Sequence, residues 1–424
     1  MLRIAIAGLG TVGAGLVRLM QKNADLLAAR AGQPVSIVAV SARDKNRARN
    51  CDLKGIKWVD DARALATLPD VDAIVELIGG AEGVARELAE AALKNGKHYI
   101  TANKALLATH GAALAALAEK SKVQLRFEAS VAGGIPVLKV LREGLAGNRI
   151  GYVRGILNGT SNYILTEMQA KQLSFEEALK DAQAKGYAEA DPSADIDGHD
   201  AANKLALLSA LAFGVMPDVA AVKVEGIRRI TPLDLHLAGM LGYRIKLLGM
   251  ARVSEGGIEQ RVGPCLVPLA SPLAEVDGAM NAVLIHGDFV GDLTLQGAGA
   301  GAEPTASAVM ADIVDVACGT RNPAFGVPTS KMTKSISAKP APVKYYMRVQ
   351  VVDKPGVVAD IAAILRDEAV SIGSFIQHGV AVNDKVPMVI TTHVVDVDSM
   401  ARAIEKITKL AVVASPPCVM RIED

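Results

Sequence analysis

The chain opens with a short aliphatic segment, Leu2–Ala7, that leads directly into a glycine-rich turn with glycines at positions 8, 10 and 13. In a GxGxxG turn the first glycine permits the tight bend, the second admits a pyrophosphate, and the third lets helix and strand pack closely. The pattern alone is weak evidence and also fits a structural glycine turn, but its position after a first strand favours a dinucleotide site. The predicted cofactor-binding residues are Gly8, Gly10, Thr11, Val12 and Gly13.

Residues 1–129 alternate aliphatic runs with helical stretches, which is typical of βαβ units and a parallel sheet buried on both faces. We therefore expect an α/β Rossmann domain with a doubly wound sheet. The predicted strands are Leu2–Ala7, Ser36–Val40, Ala73–Leu77, His98–Thr101 and Gln124–Phe127.

Three cations follow predicted strands at positions where ligands bind in such sheets. Arg43 and Lys45 come after the second strand, where an NAD-specific enzyme usually carries an acid, so they favour the 2′-phosphate of NADP over NAD; the alternative is a solvated basic turn. Lys104 follows the strand that ends at Thr101. It is predicted to contact cofactor or substrate, unless it is a surface lysine at a helix start.

The densest group of charges lies in residues 186–204, GYAEADPSADIDGHDAANK, immediately before an apolar helix. Asp200 and Lys204 are four residues apart and share a helix face. A partly buried lysine beside a carboxylate is a candidate general acid or base, although a surface ion pair is the simpler alternative. Glu189 and Asp195 suit an ammonium-bearing substrate; helix capping in a solvated loop is the alternative.

The rest of the chain divides into three further segments. Residues 130–328 mix helices and later strands, which predicts an α+β substrate-binding and dimerisation domain; its last helix, near 303–318, has the alternative of returning to the Rossmann domain. Residues 329–342 are rich in Ser, Lys and Pro and predict a linker. Residues 343–424 follow a βαββαβ order of ferredoxin type.

Composition excludes several classes of partner. The formal net charge is +1 with no basic block, and aromatic residues make up 3% of the chain, so we expect no nucleic acid and no membrane partner. The four cysteines show no zinc or disulfide spacing, which fits a reducing, cytoplasmic compartment. No stretch resembles a signal peptide or a membrane span.

A turn at 128–136, EASVAGGIP, follows the last predicted strand of the first domain. Its small residues and one carboxylate offer oxygen ligands to a hard monovalent cation. From the residues alone, a hinge between domains is the favoured interpretation.

Together these motifs resemble the homoserine dehydrogenase family in its longer form with a C-terminal ACT domain. The resemblance spans nearly the whole chain and rests on GLGTVG, TANK at 101–104, EASVAGGIP at 128–136, NGTSNYI at 158–164, the block at 186–204, and VVDKPGVVADIA at 351–362. It implies reversible NAD(P)H-dependent reduction of L-aspartate 4-semialdehyde to L-homoserine, in the biosynthesis of threonine, methionine and isoleucine.

The resemblance also implies roles for individual residues. Lys204 is the proton donor with Asp200 beside it, Glu189 holds the substrate ammonium, and Asp195 shapes the pocket. Lys104 lies between cofactor and substrate, and Gly186 lies near the nicotinamide. The sodium ligands implied are Glu128, Val131, Gly133 and Ile135, and the effector turn implied is Asp353, Gly356 and Val357.

Threonine is the implied feedback inhibitor, and a homodimer or homotetramer is the expected assembly. Two alternatives remain open from the sequence. One is an amino-acid sensor whose ACT domain works beside a degenerate Rossmann half, and the other is a related oxidoreductase acting on a different amino aldehyde.

Overall fold

The computed structural model describes residues 1–377 and 385–423; residues 378–384 and 424 of the predicted last domain lie outside this description. Within the described residues, every helix is too short or too polar to cross a lipid bilayer.

The N-terminal sheet is parallel throughout, with six strands in the order β3-β2-β1-β4-β5-β6. Its strands are β1 (Leu2–Ala7), β2 (Val35–Ser41), β3 (Lys57–Trp58), β4 (Ala73–Glu76), β5 (His98–Thr101) and β6 (Leu125–Arg126), and its helices are α1 (Thr11–Lys22), α2 (Ala24–Ala31), α3 (Val84–Lys94) and α4 (Lys104–Ser121). This order is that of the doubly wound dinucleotide-binding fold. The predicted Rossmann sheet is confirmed, and the short β3 is an addition to it.

Both faces of this sheet are covered, as its aliphatic sequence predicts. Ile4 and Ile6 of β1 enter one hydrophobic core with Leu16 of α1. Ala5 and Ala7 enter a second core, on the other face. Both faces of the sheet are therefore closed by packing, and ligands of such sheets bind at the carboxyl ends of the strands.

The middle of the chain forms antiparallel hairpins packed against helices. Its helices are α5 (Val137–Lys139), which continues as a wider π turn over 140–144, α6 (Gly159–Lys171), α7 (Phe175–Ala184), α8 (Ser193–Ile196), α9 (His199–Phe213), α10 (Pro232–Met240) and α11 (Ala302–Ala317). Its strands are β7 (Ile150–Ile156), β8 (Lys223–Val224), β9 (Tyr243–Ser254), β10 (Gly257–Pro268), β11 (Met280–Gly287) and β12 (Gly291–Ala298).

β7 was not among the predicted strands, because two glycines interrupt its aliphatic pattern. Gly155 is needed there: a Cβ at this position would lie 2.8 Å from the carbonyl oxygen of Ala282 on β11. A glycine in a strand therefore marks a close approach of the neighbouring backbone.

Helix α11 returns to the N-terminal domain and packs against α1. Val309 and Ile313 of α11 share a core with Leu16 and Val17 of α1. The helices approach closely at Gly15, where a Cβ would lie 3.1 Å from the carbonyl oxygen of Ala302. The chain thus crosses from the first sheet to the second and back.

The C-terminal segment has the elements β13 (Lys344–Val352), α12 (Val357–Asp367), β14 (Ile372–Gln377), β15 (Lys385–Thr392), α13 (Val397–Thr408) and β16 (Cys418–Ile422). Its strands are antiparallel in the order β16-β13-β15-β14. The predicted ferredoxin-like fold is confirmed.

This C-terminal sheet is not a detached module. β16 pairs in parallel with β10, through Cys265 with Arg421 and Leu266 with Ile422, so one sheet of ten strands runs through both regions. The connecting segment is also tied down, because the backbone N–H of Ile258 donates to the carbonyl of Ile336 at 2.8 Å. The middle and C-terminal regions therefore share backbone hydrogen bonds.

Candidate active site

The glycine turn leaves the start of α1 open to a ligand. Gly8 has φ +107°, and a Cβ there would lie 2.5 Å from the carbonyl oxygen of Leu77. A Cβ at Gly13 would lie 2.1 Å from the carbonyl oxygen of Gly8, whereas Gly10 faces open space. Gly10 caps α1 without a side chain, so the helix N-terminus is free to attract an anion.

A cavity of about 950 Å³ adjoins this turn and includes Gly8, Gly10 and Arg43 in its wall. Lys45 is exposed and is not one of the wall residues. Thr11 and Val12 begin α1 at the cavity's edge. The wall carries four carboxylates as well as four arginines, so the fit to a nucleotide rests first on the open glycine and the free helix end, and then on Arg43.

Three further arginines line this cavity and were missed from the sequence: Arg47, Arg49 and Arg63. The Nε of Arg49 donates to the carbonyl of Leu9 at 3.1 Å, and its guanidinium lies 5.3 Å from the ring centre of Trp58. Arg49 thus ties the loop after β2 to the glycine turn. The only sequence signal was the spacing of three arginines over residues 43–49.

The second part of the site surrounds Lys204, which is 9% exposed on α9. Its Nζ lies 2.8 Å from Oδ2 of Asp200 and donates to the carbonyl of Leu157 at 2.7 Å. An ammonium has three N–H donors. Two of them have partners within the described structure, and the third remains for a bound molecule.

Asp200 is held between two lysines, because Nζ of Lys104 lies 2.9 Å from its Oδ1. Burial opposes ionisation of Asp200, but Lys204, Lys104 and a hydrogen bond from Asn158 outweigh it and hold its pKa well below the usual range. Asp200 is therefore a fixed anion that keeps Lys204 in place.

Asn158 joins the carboxylates of this cluster, a role that its type and position alone did not reveal. Its Nδ2 donates to Oδ1 of Asp195 at 2.7 Å and to Oδ2 of Asp200 at 2.9 Å. Its Oδ1 accepts from the backbone N–H of Ser161 at 2.8 Å and so caps α6. The amide orients both carboxylates and starts the helix that supports them.

The lysine from the first domain is positioned by a hydrogen-bond chain at the edge of the parallel sheet. The hydroxyl of Thr101 donates to the buried Glu76 at 2.6 Å and accepts from the backbone N–H of Asn103 at 2.9 Å. Asn103 in turn caps α4 by accepting from the N–H of Leu106 at 3.1 Å. Lys104, the first residue of that helix, is directed at Asp200 from this edge.

Glu189 and Gly186 lie on the loop between α7 and α8, which is joined to the start of α6 where the hydroxyl of Thr160 donates to the carbonyl of Tyr187 at 2.7 Å. Both are exposed, and Gly186 has φ +76°. The carboxylate of Glu189 makes no hydrogen bond or ion pair within the described ranges; only its backbone carbonyl accepts, from Gln183 at 3.1 Å. A carboxylate without a partner is suited to a cationic group.

The turn at 128–136 is buried beside these elements. The carboxylate of Glu128 accepts from the backbone N–H groups of residues 138 and 139, at 2.9 and 2.8 Å, so it is already engaged. The carbonyls of Val131 and Gly133 accept no hydrogen bond from the described residues, whereas that of Ile135 accepts from residue 137. Gly133 has φ +51°, and a Cβ there would lie 2.5 Å from the carbonyl oxygen of Gly299.

The free carbonyls fit a hard cation, which takes oxygen ligands. Burial and the neighbouring Asp312 raise the pKa of Glu128 to about 8, so this carboxyl contributes little negative charge near neutral pH. Among residues 1–377 and 385–423, no group of three His, Cys, Asp or Glu side chains is placed to hold a metal ion. A cation here would depend on backbone oxygens.

The turn from β13 to α12 forms a separate cavity of about 480 Å³, which we call the effector cavity. Asp353, Gly356 and Val357 all line it, together with Gln377 and Met388. Gly356 has φ +94° and caps α12 without a side chain. The three residues predicted for the effector are thus brought together on one surface.

An open dinucleotide turn and a buried lysine, directed to the same sheet edge, define a nicotinamide-dependent oxidoreductase with an added regulatory fold. Three family models match the chain. The model "Homoserine dehydrogenase, NAD binding domain" matches residues 8–128, the model "Homoserine dehydrogenase" matches residues 136–314, and the model "ACT domain" matches residues 345–412. The chain belongs to the homoserine dehydrogenase family.

Individual relatives agree, two of them along nearly the full length. Homoserine dehydrogenase of Neisseria gonorrhoeae is 45% identical over 99% of this chain and 98% of its own. The crystal structure of homoserine dehydrogenase from Thiobacillus denitrificans is 43% identical, with a TM-score of 0.92, over 100% of this chain and 98% of its own. A hyperthermophilic archaeal homoserine dehydrogenase in complex with NADPH has a TM-score of 0.64 at 25% identity, over 76% of this chain and 99% of its own.

The expected family, fold class and NAD(P)-dependent oxidoreductase activity are thereby confirmed, and a nicotinamide cofactor is established. The ACT domain provides for a small-molecule effector. The alternatives of a sensor with a degenerate first domain and of a different amino-aldehyde enzyme are set aside.

Proposed function

We propose that Lys204 is the proton donor in the reduction of L-aspartate 4-semialdehyde to L-homoserine, the step that supplies threonine, methionine and isoleucine biosynthesis. The observation that supports this most is the third N–H of Lys204, left over after its bonds to Asp200 and Leu157. The nicotinamide cofactor, when bound, supplies the hydride to the aldehyde carbon. Lys204 delivers the proton to the aldehyde oxygen as negative charge develops there.

In the reverse direction the neutral amine of Lys204 accepts the hydroxyl proton. Asp200 keeps the amine in position throughout, and Lys104 and Asn158 fix Asp200. Gly186 keeps the loop at the mouth of the site free of a side chain beside the nicotinamide.

Glu189 and Asp195 would bind the substrate ammonium. Glu189 is unpaired in the described structure and Asp195 is oriented by Asn158. The test compares L-aspartate 4-semialdehyde with 4-oxobutanoate, which is the same aldehyde without its amino group. We expect the second to have a far lower kcat/KM, and Glu189→Gln to lower kcat/KM for the amino aldehyde alone. Equal use of both aldehydes by the unaltered enzyme would contradict the assignment.

NADP is the cofactor we infer over NAD. Arg43 lines the nucleotide cavity beside Arg47 and Arg63, and Lys45 adds positive charge nearby. The archaeal relative named above binds NADPH, which agrees with this preference. NADPH should have the lower KM of the two reduced cofactors, and a lower KM for NADH would overturn the inference.

A sodium ion is the cation we infer at Glu128, Val131, Gly133 and Ile135. Its support is the pair of unused carbonyl oxygens on a turn that only glycine accommodates. Thermal unfolding in sodium chloride should occur at a higher temperature than in N-methylglucamine chloride of equal ionic strength, because the larger cation does not fit. Identical midpoints would remove the site.

Threonine is the effector we infer for the effector cavity, at Asp353, Gly356 and Val357 of the domain spanning 343–424. Removing that domain would also strip β16 from β10, so a point substitution is the sharper test. Gly356→Asp should relieve threonine inhibition, because it places a side chain at φ +94° in the cavity wall. Unchanged inhibition would place threonine elsewhere.

We also infer a cytoplasmic homodimer or homotetramer. The four cysteines are free in the described structure, which suits a reducing compartment. Light scattering on the purified chain gives its mass directly, and a monomer would contradict the inferred assembly.

A further inference from the structure

A second cavity lies where the ACT domain meets the middle of the chain, and we call it the junction cavity. It has a volume of about 380 Å³ and is lined by residues of β8, β10, α13 and β16. It shares no lining residue with the effector cavity. A molecule bound here would contact both domains at once.

One wall of the junction cavity is apolar. Val397, Met400, Ala401 and Ile404 line it from α13, at the i, i+3, i+4, i+7 spacing that places residues on one helix face. Val419 continues this surface on β16. The wall suits an aliphatic group of a few carbons, since burying each CH₂ contributes about 0.8 kcal/mol.

The lining also includes three cations that are not on α13: Lys223, Arg229 and Arg261. Lys223 on β8 is paired in register with Arg261 on β10. Arg261 lies along its own strand, because a Cβ at Gly263 would lie 2.7 Å from its guanidinium. None of the three forms an ion pair within 4.0 Å of a described carboxylate, and the one side-chain bond of Arg261 is a weak one, from Nη1 to Sγ of Cys265 at 4.0 Å, so an anion would displace no strong partner.

Glu225 is the one carboxylate that lines the junction cavity. Glu225, Arg261 and Arg229 all line this cavity. Desolvation raises the pKa of the Glu225 carboxyl, and the charges of Arg261 and Arg229 act against this rise. The fourth cation in the lining, Arg421, is already paired with Glu259 at 2.6 Å. The cavity therefore offers unpaired cations, one acid and an apolar wall.

We propose that the junction cavity binds an apolar α-amino acid. Its carboxylate would lie against Arg261 and Arg229, its ammonium towards Glu225, and its side chain on the α13 wall. Because the ligand would contact β10 and α13 together, it would also strengthen the docking of the ACT domain. This site is separate from the proposed threonine site and does not depend on the proposed catalytic roles.

Calorimetric titration of the full-length chain tests the proposal with three matched probes. L-Leucine carries all three groups, 4-methylpentanoate lacks the ammonium, and 3-methylbutylamine lacks the carboxylate. We expect affinity to fall in that order, with leucine saturating below roughly 10 mM. No saturable binding of leucine in that range, or equal binding of inorganic phosphate, would overturn the proposal.

Substitutions then locate the site. Arg261→Met should weaken leucine binding by about tenfold or more, because it removes a charged hydrogen-bond donor at similar side-chain length. Ala401→Phe fills the cavity from an exposed position on α13 and should abolish binding while the chain remains folded by circular dichroism. Lys354→Met, in the effector cavity, is the control and should leave the affinity for leucine unchanged. Loss of binding in the control alone would place leucine in the effector cavity.

Discussion

Two of the molecule's buried clusters of charged side chains lie around Asp234 and around Lys204. They differ in whether every hydrogen-bonding group has a partner. Around Asp234, both carboxylate oxygens are engaged: Oδ1 accepts from Arg348 at 2.7 Å and Tyr346 at 2.8 Å, and Oδ2 accepts from Arg348 at 3.1 Å and from Thr231. Around Lys204, one N–H of the ammonium has no partner within the described structure.

The two clusters also differ in their burial and in the elements that they join. Asp234 is fully buried between α10 and β13, where it fastens the ACT domain to the middle of the chain. Asp200 is reached by the half-exposed Lys104 from another domain. Buried charge alone therefore does not indicate catalysis; a donor without a partner, in a cluster that a half-exposed lysine also reaches, is the better indication. The following experiments test that distinction.

The largest expected effect is on the cluster with the unused donor. Lys204→Met should lower kcat by about 10³-fold with little change in the KM for NADPH, because the proton donor acts only as the oxyanion forms. Initial-rate kinetics measure both parameters. Lys171→Met, on an exposed i,i+4 pair of α6, is the matched control and should retain full activity. Turnover near that of the control would remove Lys204 from the mechanism.

The second largest effect is expected at Asp234, where a substitution should lower the free energy of unfolding and leave kcat unchanged. Asp234→Asn leaves Arg348 buried without its counter-charge, which we expect to cost about 3 kcal/mol of unfolding free energy. Urea unfolding followed by circular dichroism measures the loss. Asp367→Asn, in an exposed pair with Arg366, should change stability by under about 0.5 kcal/mol. If Asp234→Asn lowered kcat as much as Lys204→Met does, the two clusters would not be distinct.

A smaller effect is expected at Asn158, which belongs to the catalytic cluster without carrying its proton. Asn158→Ser retains a cap for α6 but loses the amide that holds Asp195 and Asp200. We expect kcat/KM for the aldehyde to fall about tenfold, since a hydrogen bond to a charged group contributes about 1.5–3 kcal/mol. Asn95→Ser, which loses a bond to the carbonyl of Ala66, is the control. Equal kcat/KM in both variants would reduce Asn158 to a helix cap.

The sequence predicted what depends on local pattern. The strands of the first sheet follow from aliphatic runs bounded by turns, and the pairing of Asp200 with Lys204 follows from helical spacing. What it missed joins residues far apart. Asp234 meets Arg348 from 114 positions away, and β16 pairs with β10 after an entire further domain. Such contacts are set by tertiary packing and leave no periodic signal along the chain.

The residues of the active site also divide into those that the sequence could identify and those that it could not. Lys204, Asp200 and Glu189 could be named from their density of charge and from the family resemblance. Arg49 and Asn158 could not be assigned roles, because each acts through a backbone or a carboxylate that the fold alone brings near. A side chain whose role is to orient another is visible only once its partners are placed.

The smallest expected effect concerns charges that are neither buried nor paired. Arg43 is exposed in the wall of the nucleotide cavity, where solvent screens its interaction with a phosphate. Arg43→Ala should therefore raise the KM for NADPH only about fivefold, in line with the roughly 1 kcal/mol of an exposed charge pair, and should leave the KM for NADH unchanged. Arg30→Ala, on the far end of α2, is a control of equal charge. A rise of the same size for both cofactors would mean that Arg43 contacts a part they share, and the 2′-phosphate assignment would pass to Arg47, which lines the same cavity, rather than to Arg63, which is already paired with Glu87 and Asp61.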